Sequence, residues 1–146
     1  MLNNKVLIAD DDSIVRTLYS RILANIGLDI TLASNGLEAI EKIKQYHPDL
    51  VILDIIMPEM NGYQVCRQIK SQSQTMKIPV VFCSNKSSEV DVYWALQQGA
   101  DGYISKPVEK SELMTLMARF NMIKNESQEH SYQCLYKQGV VRILPT

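Results

Sequence analysis

The sequence is short of several things, and each shortage closes off a class of protein. Its three cysteines, Cys66, Cys83 and Cys134, are odd in number and widely spaced, with no CxxC pair. Neither a disulfide framework nor a zinc site is indicated, and a reducing cytoplasm is the expected compartment. Long apolar runs are missing: the opening MLNNK leads into only four apolar residues, and nothing approaches the roughly 20 residues of a membrane span. An excess of charge of one sign is missing too. Fifteen basic against sixteen acidic residues leave a net charge of −1, which offers no electrostatic footprint for nucleic acid or for an anionic membrane. The expectation is a soluble cytoplasmic protein whose direct partners are neither.

What is present suits one α/β domain. At 146 residues and 46% hydrophobic, the chain can bury a core without covalent staples. Short β-rich runs recur at KVLIA (5–9), DITLA (29–33), LVILD (50–54), PVVFC (79–83) and GYIS (102–105). Between them lie segments of helical spacing. Ile14, Leu18, Ile22 and Ile26 fall four apart, and Ile40 with Ile43 and Val65 with Ile69 repeat the theme; all are expected to face the core. Gly27, His47-Pro48, Ile78-Pro79 and Gly99 punctuate the scheme where helices should stop or strands begin. LVILD and PVVFC lack polar alternation, as parallel strands buried on both faces do. Five βα repeats then predict a doubly wound parallel sheet, with ligands beyond the carboxyl ends of the strands where the winding reverses.

Three adjacent acids, Asp10, Asp11 and Asp12, stand at the end of the first greasy run, and Asp54 closes the third. Neighbouring carboxylates about 5 Å apart repel by roughly 3 kcal/mol at an effective dielectric near 20. Capping of the next helix accounts for Asp12. It does not explain acids that end two buried strands. With strand order 2-1-3-4-5, Asp10, Asp11 and Asp54 converge, and such a cluster suits a hard divalent cation, Mg²⁺ above all. Ser84 and Lys106 follow the fourth and fifth runs, adding a hydroxyl and an ammonium to the same rim. Singly each is an ordinary turn or surface residue. Jointly they suit a phosphoryl group, with a carboxylate as nucleophile.

The runs LIADDDSIVR, DLVILDIIMPEMNGYQV, VVFCSNK and GADGYISKP, in that order and spacing, resemble the receiver domains of two-component response regulators in their CheY-like form. The resemblance covers residues 4 to about 123. It implies a flavodoxin-like (βα)5 fold and a phosphorylation switch rather than an enzyme with turnover. Asp54 would accept a phosphoryl group from a histidine kinase, either a CheA-like or a sensor kinase. Arg16, five residues after the second acid, sets the acid pair at Asp10 and Asp11. Asp11, Asp54 and the Ile56 carbonyl would touch Mg²⁺, with Asp10 acting through water. Ser84 and Lys106 match the phosphate-sensing hydroxyl and the lysine, Tyr103 matches the aromatic switch, and the Lys106-Pro107 bond would be cis. The side chains of Ile56 and Lys86 would border the path of the water that removes the phosphoryl group. The bland alternative for Tyr103 is a half-buried packing residue with a wet hydroxyl.

SNKSSEVDVYWALQQGADGYISKPV resembles, more narrowly, receivers of type IV pilus twitching and phototaxis systems, with Trp94 and ALQQGADGY as the specific part. A motility output is implied. Trp94 packed against the sheet is the other reading. Residues 1–124 are expected to form the receiver and 125–146 a polar tail, too short for an output domain, in which GVVRIL forms a short strand that docks or frays. Output would then pass to a downstream protein through the face of the fourth helix, fifth strand and fifth helix. Two rivals remain. A degenerate receiver would bind partners without phosphorylation. A haloacid-dehalogenase-like phosphohydrolase wants a second acid where Ile56 stands. A flavodoxin-type cofactor binder is disfavoured, because DDDS would repel phosphate where that fold needs a phosphate loop.

Overall fold

The structure is a computed structural model that describes residues 4–86, 88–124, 132–137 and 140–145, the last two segments by their backbone. Strands β1 (Lys5–Ala9), β2 (Asp29–Ala33), β3 (Leu50–Leu53), β4 (Val80–Ser84) and β5 (Gly102–Ser105) alternate with helices α1 (Ser13–Ala24), α2 (Gly36–Tyr46), α3 (Gly62–Ser71), α4 (Glu89–Gln97) and α5 (Lys110–Arg119). These five strands are parallel and stand in the order 2-1-3-4-5, the flavodoxin-like arrangement.

Burial on both faces follows from the apolar runs. In β1, Leu7 and Ala9 face one core with Val51, Phe82, Ile43, Val65 and Ile69, contributed in part by α2 and α3. Val6 and Ile8 face the other with Ile52, Tyr19, Leu23, Leu113 and Met117, contributed in part by α1 and α5. The sequence stops act as expected: His47 caps α2 in the left-handed region at φ 48°, and Gly27 turns the chain after α1 at φ 88°.

The reading of α1 needs correction. Ile14 and Leu18 do not face the core; they are 76% and 50% exposed, while Tyr19 and Leu23 are buried. Four residues turn a helix by about 400°, so a row spaced four apart drifts round the axis. The buried face runs through Val15, Tyr19, Ile22, Leu23 and Ile26, and only the second half of the expected stripe reaches it.

Two further strands, β6 (Tyr132–Lys137) and β7 (Val140–Pro145), extend the sheet to seven in the order β2-β1-β3-β4-β5-β7-β6. β7 lies parallel to β5, pairing Gly102 with Val141, Tyr103 with Arg142 and Ile104 with Ile143. β6 returns antiparallel on β7. The strand expected in GVVRIL is thus β7, docked on β5. The rest of the tail, expected as polar linker, needs correction: Tyr132–Lys137 forms β6, which the pairing with β7 makes into a strand, while residues 125–131 and 138–139 lie outside the described residues.

Candidate functional site

Register brings the acids together. Ala9 and Leu53 are partners at the carboxyl ends of β1 and β3, so the residues that follow, Asp10 and Asp54, emerge side by side. Each of Asp10, Asp11 and Asp54 places a carboxylate oxygen within 4.8 Å of the others. Asp12 stands apart from this group as the N-cap of α1, its Oδ1 accepting the Ile14 amide at 2.9 Å. Asp10 is buried and held from three sides. Its Oδ1 accepts the Asp12 amide at 2.9 Å, its Oδ2 accepts from Lys106 Nζ at 2.6 Å, and its backbone carbonyl accepts from the Arg16 guanidinium at 2.6 Å.

Lys106 follows β5 and bridges the acids, its Nζ also donating to Asp54 Oδ2 at 3.0 Å. Burial opposes the ammonium, but the bonds to Asp10 and Asp54 more than offset it, and the Lys106 pKa is held above its ordinary value. Burial pushes the Asp10 carboxyl up, against the lowering effect of Lys106 and the Asp12 amide, and the charge of Asp54 pushes the same way as burial. The Asp54 side chain is 12% exposed, and its Oδ1 accepts the amide of Ile55 at 2.7 Å. The nucleophile candidate is therefore oriented at one oxygen by the backbone and at the other by a cation.

Ser84, at the end of β4, is buried. Its carbonyl accepts the Lys106 amide at 2.9 Å, and its Oγ accepts the Lys86 amide at 3.2 Å. Tyr103 is 0% exposed, and its hydroxyl donates to the carbonyl of Lys86. The bland reading of a half-buried ring with a wet hydroxyl does not describe it. The Lys106-Pro107 peptide is cis. Ile56, two residues past Asp54, turns its side chain to solvent at 61% exposure. Asp10, Asp11, Asp54 and Lys106 thus form one contact group, Ser84 is tied to it through the Lys106 backbone, and Tyr103 is reached through Lys86.

Two contributors were not legible as such. Arg16 served only as a spacing marker, yet it clamps the backbone that presents Asp10. Gly62, the first residue of α3, packs so closely that a Cβ there would collide with the Asp54 carbonyl oxygen; an Asn-Gly pair at a helix start was the available signal.

The donors fit a magnesium ion. Three carboxylates less one ammonium leave a local charge of −2, all offered through hard oxygens, and Asp11 is the exposed member, open to the water that Mg²⁺ retains.

A family model described as the response regulator receiver domain matches residues 6–118. The chain belongs to that family. Among curated relatives of this receiver, the DNA-binding response regulator MtrA of Mycobacterium tuberculosis is 32% identical over 127 residues, covering 87% of this chain and 54% of that one. The chain spans about half the length of the curated relatives it matches. Among solved structures, the chemotaxis protein CheY4 of Vibrio cholerae aligns with the receiver at a TM-score of 0.77 and 28% identity, over 81% of this chain and 98% of that one. The receiver domain of a sensor histidine kinase from Pseudomonas aeruginosa, with a magnesium ion coordinated in its active site cleft, shares the fold at a TM-score of 0.75 and 24% identity, over 81% and 97% of the two chains. Among the described residues, no helix is long and apolar enough to cross a membrane.

Proposed function

We propose that this receiver is a phosphorylation switch in which Asp54 accepts a phosphoryl group from a histidine kinase in the presence of Mg²⁺. The observation that carries it is the bridging of Asp10 and Asp54 by Lys106, at 2.6 and 3.0 Å, beside an exposed third acid. A carboxylate oxygen of Asp54 attacks the phosphorus of a phosphoimidazole. The P–N bond breaks, its electron pair returns to the imidazole nitrogen, and that nitrogen takes up a proton. Lys106 stabilises charge on the transferring phosphoryl oxygens, and the Ser84 hydroxyl donates to one of them. Asp11, Asp54 and the Ile56 carbonyl would hold Mg²⁺, with Asp10 acting through water, and the ion would supply further charge neutralisation. Tyr103 serves as the switch residue.

Residues 1–124 form the signalling unit in this reading, and the phosphorylated state is read by a downstream protein. The ALQQGADGY run and Trp94 support a motility or taxis pathway with a CheA-like donor. Trp94 lies on the outer side of α4, 52% exposed and edge-to-face with Tyr93 at 5.6 Å, where a partner can touch it; it does not pack on the sheet. DNA binding is a property in the name of MtrA, and the balanced charge of this chain supports protein contact instead.

Acetyl phosphate with Mg²⁺ should add one phosphoryl group to the chain on intact-mass analysis, and Asp54→Asn should abolish the labelled species. Equal labelling of that variant overturns the assignment. No labelling of the parent chain leaves the phosphorylation-independent binding module as the better reading.

A further inference from the structure

The β6–β7 hairpin meets the sheet at the strand that carries the switch candidate. Its ladder with β5 is short, pairing Gly102, Tyr103 and Ile104, and it ends one residue before Ser105 and two before Lys106. The opposite side of the same strand pairs with β4, with Phe82 against Tyr103 and Ser84 against Ser105. Tyr103 therefore stands between a strand that ends in the candidate site and a strand that belongs to the hairpin.

Both ends of Tyr103 lead into the candidate site. Along the backbone, β5 runs through Ser105 into Lys106, whose Nζ holds Asp54 and whose amide holds the Ser84 carbonyl. Through the side chain, the hydroxyl holds the Lys86 carbonyl, and the Lys86 amide holds Ser84 Oγ. A phosphoryl group on Asp54 brings nearly two negative charges and strong acceptor oxygens. It draws Lys106 toward itself and away from Asp10, and it recruits the Ser84 hydroxyl as a donor, pulling the Ser84 oxygen toward the phosphoryl group and stretching its bond from the Lys86 amide. Each change shifts a group to which Tyr103 is bound, and Tyr103 is the middle residue of the three that hold β7.

We propose that the β5–β7 ladder is a latch that phosphorylation of Asp54 loosens, so that the modified protein exposes the backbone donors and acceptors of the β5 edge. The inference rests on the phosphoacceptor reading of Asp54. By linkage the effect is reciprocal: a chain whose hairpin is undocked takes up phosphate more readily.

Hydrogen–deuterium exchange on the full chain, with Mg²⁺ and with or without acetyl phosphate, reads the latch, while intact mass on the same samples reads the phosphoryl group. Exchange in peptides covering β5 and β7 should quicken about fivefold or more on phosphorylation, the lower end of ordinary allosteric coupling, with β1 and β3 unchanged. Asp54→Asn should show no such response. Phosphate incorporated without faster β5 and β7 exchange overturns the latch and leaves the phosphoacceptor reading standing; no incorporation overturns both. As a second arm, Ile143→Pro removes a ladder donor from β7 and should label faster with acetyl phosphate than the parent chain. Equal or slower labelling of a folded Ile143→Pro chain also counts against the latch.

Discussion

At the scale of single residues, three carboxylates share the site with one ammonium, a crowding that a bound cation would relieve. Asp11 is its exposed member, so its replacement separates metal binding from the buried Asp10–Lys106 pair. Mg²⁺ at ten times its dissociation constant should stabilise the protein by about 1.4 kcal/mol, seen as a rise in Tm, and Asp11→Ala should remove most of that rise. Without metal, Asp11→Ala should be more stable than the parent chain by about 1 kcal/mol, because one of three crowded charges has gone. For Ile56 and Lys86 the property proposed is a different one, the lifetime of the phosphorylated state. Ile56 is apolar and solvent-turned, and Lys86 is exposed with its carbonyl engaged by Tyr103; neither is set to orient water for attack on an acyl phosphate. Ile56→Asn and Lys86→Glu should therefore shorten the phosphorylated lifetime, Ile56→Asn severalfold, when decay is timed by intact mass after removal of the donor. The acids were readable because charge at the end of an apolar run is costly without a purpose. Arg16 and Gly62 were not, because their work is done on backbone atoms, which leave little trace in side-chain chemistry.

Among the elements, the strands were the most legible, since parallel strands buried on both faces have no choice but to be apolar. Helix faces were less so. The row of Ile14 and Leu18 looked like a core stripe, but the i, i+4 spacing drifts and the buried face follows Tyr19 and Leu23. The start of α5 has a testable weakness. Glu112 is 6% exposed and accepts the Glu109 amide at 3.3 Å. Burial raises its pKa, with the charge of Glu109 adding to the rise and the amide opposing it. A carboxyl whose folded pKa is raised contributes stability below its unfolded pKa and loses it as pH climbs through the folded one. Glu112→Gln keeps the acceptor and sheds the charge. It should raise Tm by roughly 2 °C near neutral pH, and the difference should vanish below about pH 4, as thermal melts across pH would show.

For the whole molecule, the five parallel strands and their helices form a unit that CheY4 matches over 98% of its own length, so truncation after Lys124 should leave a folded chain that still labels with acetyl phosphate. Loss of soluble, labelled protein on truncation would show that the hairpin belongs to the core. A strand in GVVRIL was foreseeable from its composition. Its place beside β5 was not, because pairing depends on which edge the other strands leave open, a property of the assembled sheet.

That placement also changes where the sheet is sticky. An uncovered parallel strand of mostly apolar residues is a template on which other chains can stack. With β7 seated on β5, the sheet ends at β6, two strands beyond β5 and four beyond the β3 strand that leads into Asp54. Colloidal behaviour and signalling then share one joint: if the hairpin is the latch proposed above, whatever lifts it also opens the β5 edge to pairing with a strand of another chain.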